Sequence, residues 1–158
     1  MEELYSVGAR KFAFLNIGPL GCTPMARASM PNQKYNGAFN YFAFLFNNQL
    51  VQMFDAIKPQ MPGFHYVVVN FFQITLEFIG NPAIGGFSDV TNSCCELSEI
   101  GGVLCRRGGN VCTNRSSYLF FDGFHPTEPL YGIMASRAYA STDSNEAYPF
   151  NIQKLAQV

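Results

Sequence analysis

At 158 residues the chain has the length of one domain or a large part of one. Charged residues make up only 13% of it, about half the usual ~25% of soluble domains, while Phe occurs 16 times and Trp not at all; this balance predicts apolar surface that expects cover. The net charge of −1, with Lys and Arg scattered singly apart from Arg106-Arg107, offers no clustered positive face for nucleic acid, and no stretch supplies the ~20 nearly uninterrupted apolar residues of a membrane span, the best, residues 64–79, being broken by His65, Asn70, Gln73 and Glu77.

In chain order, Met1-Glu2-Glu3-Leu4-Tyr5 is acidic, unlike the basic and then apolar start of a secretory signal. Residues 11–17 read as a short strand, stopped by Gly18-Pro19, and residues 18–24, with two glycines and two prolines, read as a loop. A long helix follows, in which Phe39, Phe42, Phe46, Leu50, Met53 or Phe54, and Ile57 recur at steps of three and four, while Asn40, Asn47, Asn48, Gln52 and Asp55 fill much of the rest. Lys58-Pro59 ends it. After a turn at Pro62-Gly63, residues 65–70 carry three consecutive valines, the composition of a strand buried on both faces. Residues 71–79 form a helix ended by Gly80-Asn81-Pro82. Residues 83–114, rich in Gly, Ser, Asn and Cys with little periodicity, read as a long loop. Residues 118–121 form a short apolar strand, and Thr127 caps a last helix to about Ala140, with Pro129 in its first turn. Alternating strands and helices predict a parallel α/β sheet.

Four of the five cysteines, Cys94, Cys95, Cys105 and Cys112, lie close together among glycines, and Cys22 stands apart. Adjacent cysteines followed by wide gaps fit the paired ligands of a zinc site poorly, so disulfides and an oxidising compartment are expected, at least one bond falling between Cys94 and Cys112 with the pairing left open. All five, Cys22 included, are disulfide candidates, and at least one is left over for a partner outside these residues. Asn114-Arg115-Ser116 is a glycosylation sequon for a secreted chain. A secreted character without a leader in this sequence is reconciled if an N-terminal portion lies outside it. His65, at the head of an apolar strand, reads as structural, and Gly18-Pro19-Leu20-Gly21 lacks the lysine of a phosphate-binding loop.

The chemistry concentrates in Phe121-Asp122-Gly123-Phe124-His125-Pro126-Thr127-Glu128, between a predicted strand and a predicted helix, the junction at which α/β sheets build sites. A carboxylate three residues before a histidine, across a glycine, can fold back onto the imidazole, fix its tautomer and steady the imidazolium.

That segment resembles the last sequence block of the plant-type GDSL esterase/lipases of the SGNH hydrolase superfamily. Gly8-Ala9-Arg10-Lys11 leading into Asn16-Ile17-Gly18-Pro19-Leu20-Gly21-Cys22-Thr23-Pro24 is similar to an earlier block. Asn81-Pro82, Gly86-Phe87, Cys94-Cys95, Cys105, Cys112 and Asn114-Arg115 before Tyr118 follow in the family's order. The sequence departs from the pattern at Phe121, Glu96, Asn70, Gly85 and Pro129-Leu130-Tyr131, and these changes spare the Asp-His pair. The resemblance implies a three-layer α/β/α, flavodoxin-like fold with parallel strands, of which the 158 residues are the C-terminal portion of a single domain with the first strands missing. It implies an acyl-ester substrate, secretion of the intact enzyme, no cofactor, and a Ser-Asp-His mechanism with Asp122 as the acid and His125 as the base. No Gly-Asp-Ser block occurs in the sequence, so the chain alone is expected to lack esterase activity, with the N-terminal half of the same enzyme as the natural partner. The alternative is a truncated, inactive homologue that acts as a binding module, or a non-functional fragment.

Overall fold

The computed structural model describes residues 1–99 and 102–158, and all their side chains except that of Gln33. In chain order the elements are α1 (Glu2–Ser6), β1 (Lys11–Leu15), α2 (Pro24–Ala28), α3 (Gly37–Ile57), β2 (His65–Val69), α4 (Phe71–Gly80), β3 (Asp89–Ser93), β4 (Tyr118–Phe120), α5 (Glu128–Ala140), β5 (Ala147–Tyr148) and α6 (Ile152–Gln157). The strands expected at residues 11–17 and 65–70 and the helices expected near residues 39–57, 71–79 and 128–140 are present.

β1 and β2 pair in parallel, from Lys11 opposite His65 to Leu15 opposite Val69, and β5 adds an antiparallel edge beyond β2. Successive residues of β2 point to opposite faces. Tyr66 and Val68 join Phe54 of α3, Phe64, Phe12 and Phe14 in one core. Val67 and Val69 join Ile74 and Phe78 of α4, Leu130 and Ala138 of α5, and Leu155 of α6 in the other. A sheet with helices on both faces is the three-layer α/β arrangement expected, and burial of β2 on both sides is what its valine run requires.

Four expectations are corrected. The strand at residues 118–121 does not join the main sheet: β4 pairs in parallel with β3 in a separate two-stranded sheet. β3 lies inside the supposed loop of residues 83–114, of which residues 100 and 101 lie outside the described residues. The sequence Asp89-Val90-Thr91-Asn92-Ser93 has no strict alternation, and it is extended because β4 supplies backbone partners. Thr127 occupies the N-cap of α5 but caps nothing with its side chain; its hydroxyl donates instead to the Tyr118 carbonyl at 2.6 Å, tying helix to strand. Finally, α3 buries only the C-terminal part of its apolar stripe, where Phe54 is buried and Leu50 and Ile57 pack against the same core. Phe39, Phe42 and Phe46 are exposed, and Ala43, Asn47 and Phe54 are buried.

The cysteine expectation is met twice over. Cys94 bonds Cys112 and Cys95 bonds Cys105, with Cα separations of 4.9 and 5.6 Å, while Cys22 is a buried free thiol. The bridged segment docks on the strand that leads to the Asp-His pair: Cys94 and Cys95 N–H groups donate to the Phe120 and Phe121 carbonyls.

Candidate active site

Asp122 and His125 close a tight turn at the end of β4. The Phe121 N–H donates to the His125 carbonyl at 2.8 Å, which brings the two ends of the turn together. Asp122 Oδ1 accepts from the Phe124 and His125 N–H groups at 2.8 and 2.7 Å, so the carboxylate is oriented by its own loop. Its Oδ2 lies 2.9 Å from His125 Nδ1. The Asp122 side chain is 9% exposed and that of His125 54%, a buried acid behind an imidazole that faces solvent. Gly123 lets another backbone segment approach the turn closely. A Cβ there would sit 2.0 Å from the Gly102 carbonyl oxygen, and its N–H donates to the Val103 carbonyl, so the disulfide-bridged segment buttresses the pair directly.

His125 borders a largely apolar cleft of about 420 Å³, walled by Leu15, Ile17, Pro19, Phe71, Phe120 and Tyr131. The Phe71 and Tyr131 rings stack at 6.4 Å. A Cβ on Gly18 would lie 2.8 Å from the Phe71 ring, so the absence of a side chain at Gly18 lets that ring pack onto the loop. Burial, and secondarily the Asp122 charge, push the Tyr131 phenol above its ordinary value. Thr75, one helical turn beyond Phe71, also lines this cleft, and its hydroxyl is buried without a hydrogen-bond partner among the described residues.

Sequence reasoning missed what holds the loop of residues 16–22 against this cleft. Three asparagines do so. Asn16 donates to Asn70 Oδ1 at 2.9 Å and accepts from the Phe72 N–H at 3.1 Å. Asn47, on the buried face of α3, spans both polar groups of Ile17, accepting from its N–H at 2.9 Å and donating to its carbonyl at 2.8 Å. Asn40 accepts from the Gly21 N–H at 2.7 Å and donates to the Cys22 sulfur at 3.2 Å. The available signal was the seven-residue spacing of Asn40 and Asn47, two turns apart on one helical face.

Of the remaining expected residues, the four clustered cysteines are consumed by disulfides. Asn114 is exposed, and its side-chain oxygen accepts from the Ser116 N–H. His65 is half-buried in β2, away from the pair. Among the described residues, no group of three or more His, Cys, Asp or Glu side chains could hold a metal ion. No helix among them is long and apolar enough to cross a membrane.

A largely parallel sheet flanked by helices, with the Asp122–His125 contact just after a strand and beside an apolar cleft, makes this a layered α/β protein with its candidate site at a strand end. Residues 1–138 match the family model described as GDSL-like Lipase/Acylhydrolase, and the chain belongs to that family of ester hydrolases. GDSL esterase/lipase 6 of Arabidopsis thaliana is 39% identical over 161 residues, covering 99% of this chain and 44% of the relative. GDSL esterase/lipase At1g29670 of the same plant is 36% identical over 160 residues, covering 100% of this chain and 44% of the relative. The chain thus spans less than half the length of these curated relatives.

Proposed function

We propose that this chain carries the acid-base pair of a serine esterase acting on acyl esters, and that it is the C-terminal portion of a single hydrolase domain. The observation that carries the reading is the 2.9 Å contact between buried Asp122 and exposed His125. With Nδ1 committed to the carboxylate, Nε2 is the nitrogen left to take a proton from a nucleophilic hydroxyl. Asp122 stabilises the imidazolium so formed, and His125 then returns the proton to the leaving alcohol oxygen. Water activated by the same nitrogen hydrolyses the acyl-enzyme. The apolar cleft beside His125 suits the acyl chain. The disulfides and the exposed Asn114 support a secreted, glycosylated protein.

No Gly-Asp-Ser block stands in these 158 residues, and Ser88, Ser116 and Ser117 each precede a strand instead of following one. Ser116 and Ser117 precede β4, Ser117 donating to the Asn114 carbonyl, and Ser88 donates to the Ser117 carbonyl. The nucleophile therefore belongs to sequence outside them, and the 158-residue chain by itself is expected to be inactive. The test fuses this chain to the part of GDSL esterase/lipase 6 that the match leaves uncovered, and follows hydrolysis of short-chain nitrophenyl esters. His125→Ala is expected to lower kcat by about 10⁴ or more, and Asp122→Asn strongly, with the fold retained. Activity of His125→Ala within about tenfold of the parent would remove His125 from the role of base. Turnover by the 158-residue chain alone, with serine labelling by a fluorophosphonate, would show that one of its own serines is the nucleophile.

A further inference from the structure

His125 and Pro126 also line a second cleft, of about 390 Å³. Arg115, Ser116, Phe121, Thr127 and Glu128 form much of its wall. Two opposite charges therefore face one small space. Among the described residues neither the Arg115 guanidinium nor the Glu128 carboxylate has an ion pair or hydrogen bond. Arg115 lies 5.7 Å over the Phe121 ring, which holds the guanidinium at the wall without using its donors. The Thr127 hydroxyl is spent on the Tyr118 carbonyl, so it does not compete for a ligand.

An ester has an acyl half and an alcohol half, and the base must reach the alcohol oxygen to return its proton. A histidine that borders both an apolar cleft and a cleft lined by charged residues can divide the two halves between them. An isolated anion in the second cleft would face the Glu128 carboxylate, and an isolated cation would face Arg115. A group carrying both charges satisfies both, with phosphate oxygens on the forked donors of Arg115 and an ammonium beside Glu128. We propose that this cleft is the leaving-group site for a zwitterionic phosphoester headgroup of the phosphocholine or phosphoethanolamine kind, with the acyl chain in the apolar cleft. The inference rests on the assignment of His125 as the base. In the corresponding reaction the acyl C–O bond breaks, water supplies the acid's oxygen, and the glycerophospho-alcohol leaves with the proton that His125 returns.

The test measures binding without turnover, by titrating the 158-residue chain at low ionic strength with three single-chain amphiphiles of equal chain length, each below its micelle concentration. Dodecylphosphocholine carries the zwitterion, dodecyl phosphate the anion alone, and dodecyl maltoside neither. Dodecylphosphocholine is expected to bind tightest. Arg115→Gln should weaken it about tenfold, the worth of one charge-assisted pair, and leave the maltoside unchanged. Glu128→Gln should weaken dodecylphosphocholine and strengthen dodecyl phosphate. Equal affinities for the three heads, parent-like binding by Arg115→Gln, tightest binding of dodecyl phosphate, or no saturable binding would each overturn the proposal. His125→Ala separates the two readings: it should abolish ester turnover in the fused enzyme yet keep headgroup selectivity in the titration. Selectivity that persists while His125→Ala stays active would overturn the base and spare the cleft.

Discussion

Asn47 and Thr75 are both polar and buried, yet they should answer substitution in opposite ways. Both ends of the Asn47 amide engage Ile17. Asn47→Ala strands a backbone donor and a backbone acceptor beside the apolar cleft, a loss of about 1–3 kcal/mol, and frees the loop that walls it. The Thr75 hydroxyl, at 1% exposure, has no partner among the described residues. Thr75→Val keeps the side-chain shape and removes an unpaired polar group, so its urea midpoint should equal or exceed that of the parent while that of Asn47→Ala falls. A Thr75→Val midpoint well below the parent's would mean that the hydroxyl has a partner in solution.

Among the elements, α4, α5 and the turn before β5 are joined by one guanidinium. Arg137 of α5 pairs with Glu77 of α4 and with Glu146 at 2.6 Å. The hydrogen bond from Arg137 is the main reason that the Glu77 carboxyl sits below its ordinary value. A depressed acid contributes stability above its unfolded pKa and loses it as pH falls through the folded one. Thermal midpoints should therefore drop between neutral pH and about pH 3 by more in the parent than in Glu77→Gln, whose amide does not titrate. Equal drops would show that the pair contributes nothing in solution, as exposed pairs sometimes do. The β3–β4 unit depends instead on its two disulfides, which close loops with sequence separations of 18 and 10 residues. Such closures are worth about 2–4 kcal/mol each. Reduction should open residues 94–112 to protease before the main sheet, and, because Gly123 leans on that segment, should broaden the NMR signals of His125 at the same stage. Protein from oxidising expression with all five thiols free by mass spectrometry would contradict both bonds.

On the scale of the whole molecule, part of the surface is apolar. β1 is an edge strand, with Leu15 exposed at its end, and α3 presents Phe39, Phe42 and Phe46 outward. An unpaired edge beside exposed aromatic rings favours association. Sedimentation of the 158-residue chain should show self-association that Phe42→Ser with Phe46→Ser reduces without changing the thermal midpoint, since neither ring packs in either core. A destabilised double variant would place those rings in an interior. The same surface gives the rest of a longer hydrolase domain, in the proposed reading, somewhere to pack.

What the sequence determined by itself is local. The valine run gave β2, the spacing of apolar residues gave α3 and α4, Pro129 placed the start of α5, and Asp122 and His125, three residues apart, carried their own contact within one tight turn. The clustering of Cys94 to Cys112 implied disulfides but not their pairing, which is settled by how the segment folds over β4. Tertiary structure alone decided which face the first half of α3 buries. Apolar periodicity favours the phenylalanines, but Asn40 and Asn47 meet unsatisfied backbone groups of a loop 19 and 30 residues away in sequence, and a buried backbone donor left unpaired costs more than an exposed ring. It likewise made a strand of Asp89–Ser93 and an antiparallel edge of Ala147–Tyr148, and sent the Thr127 hydroxyl to β4. In each case the deciding partner is distant in sequence, so no local pattern encodes it.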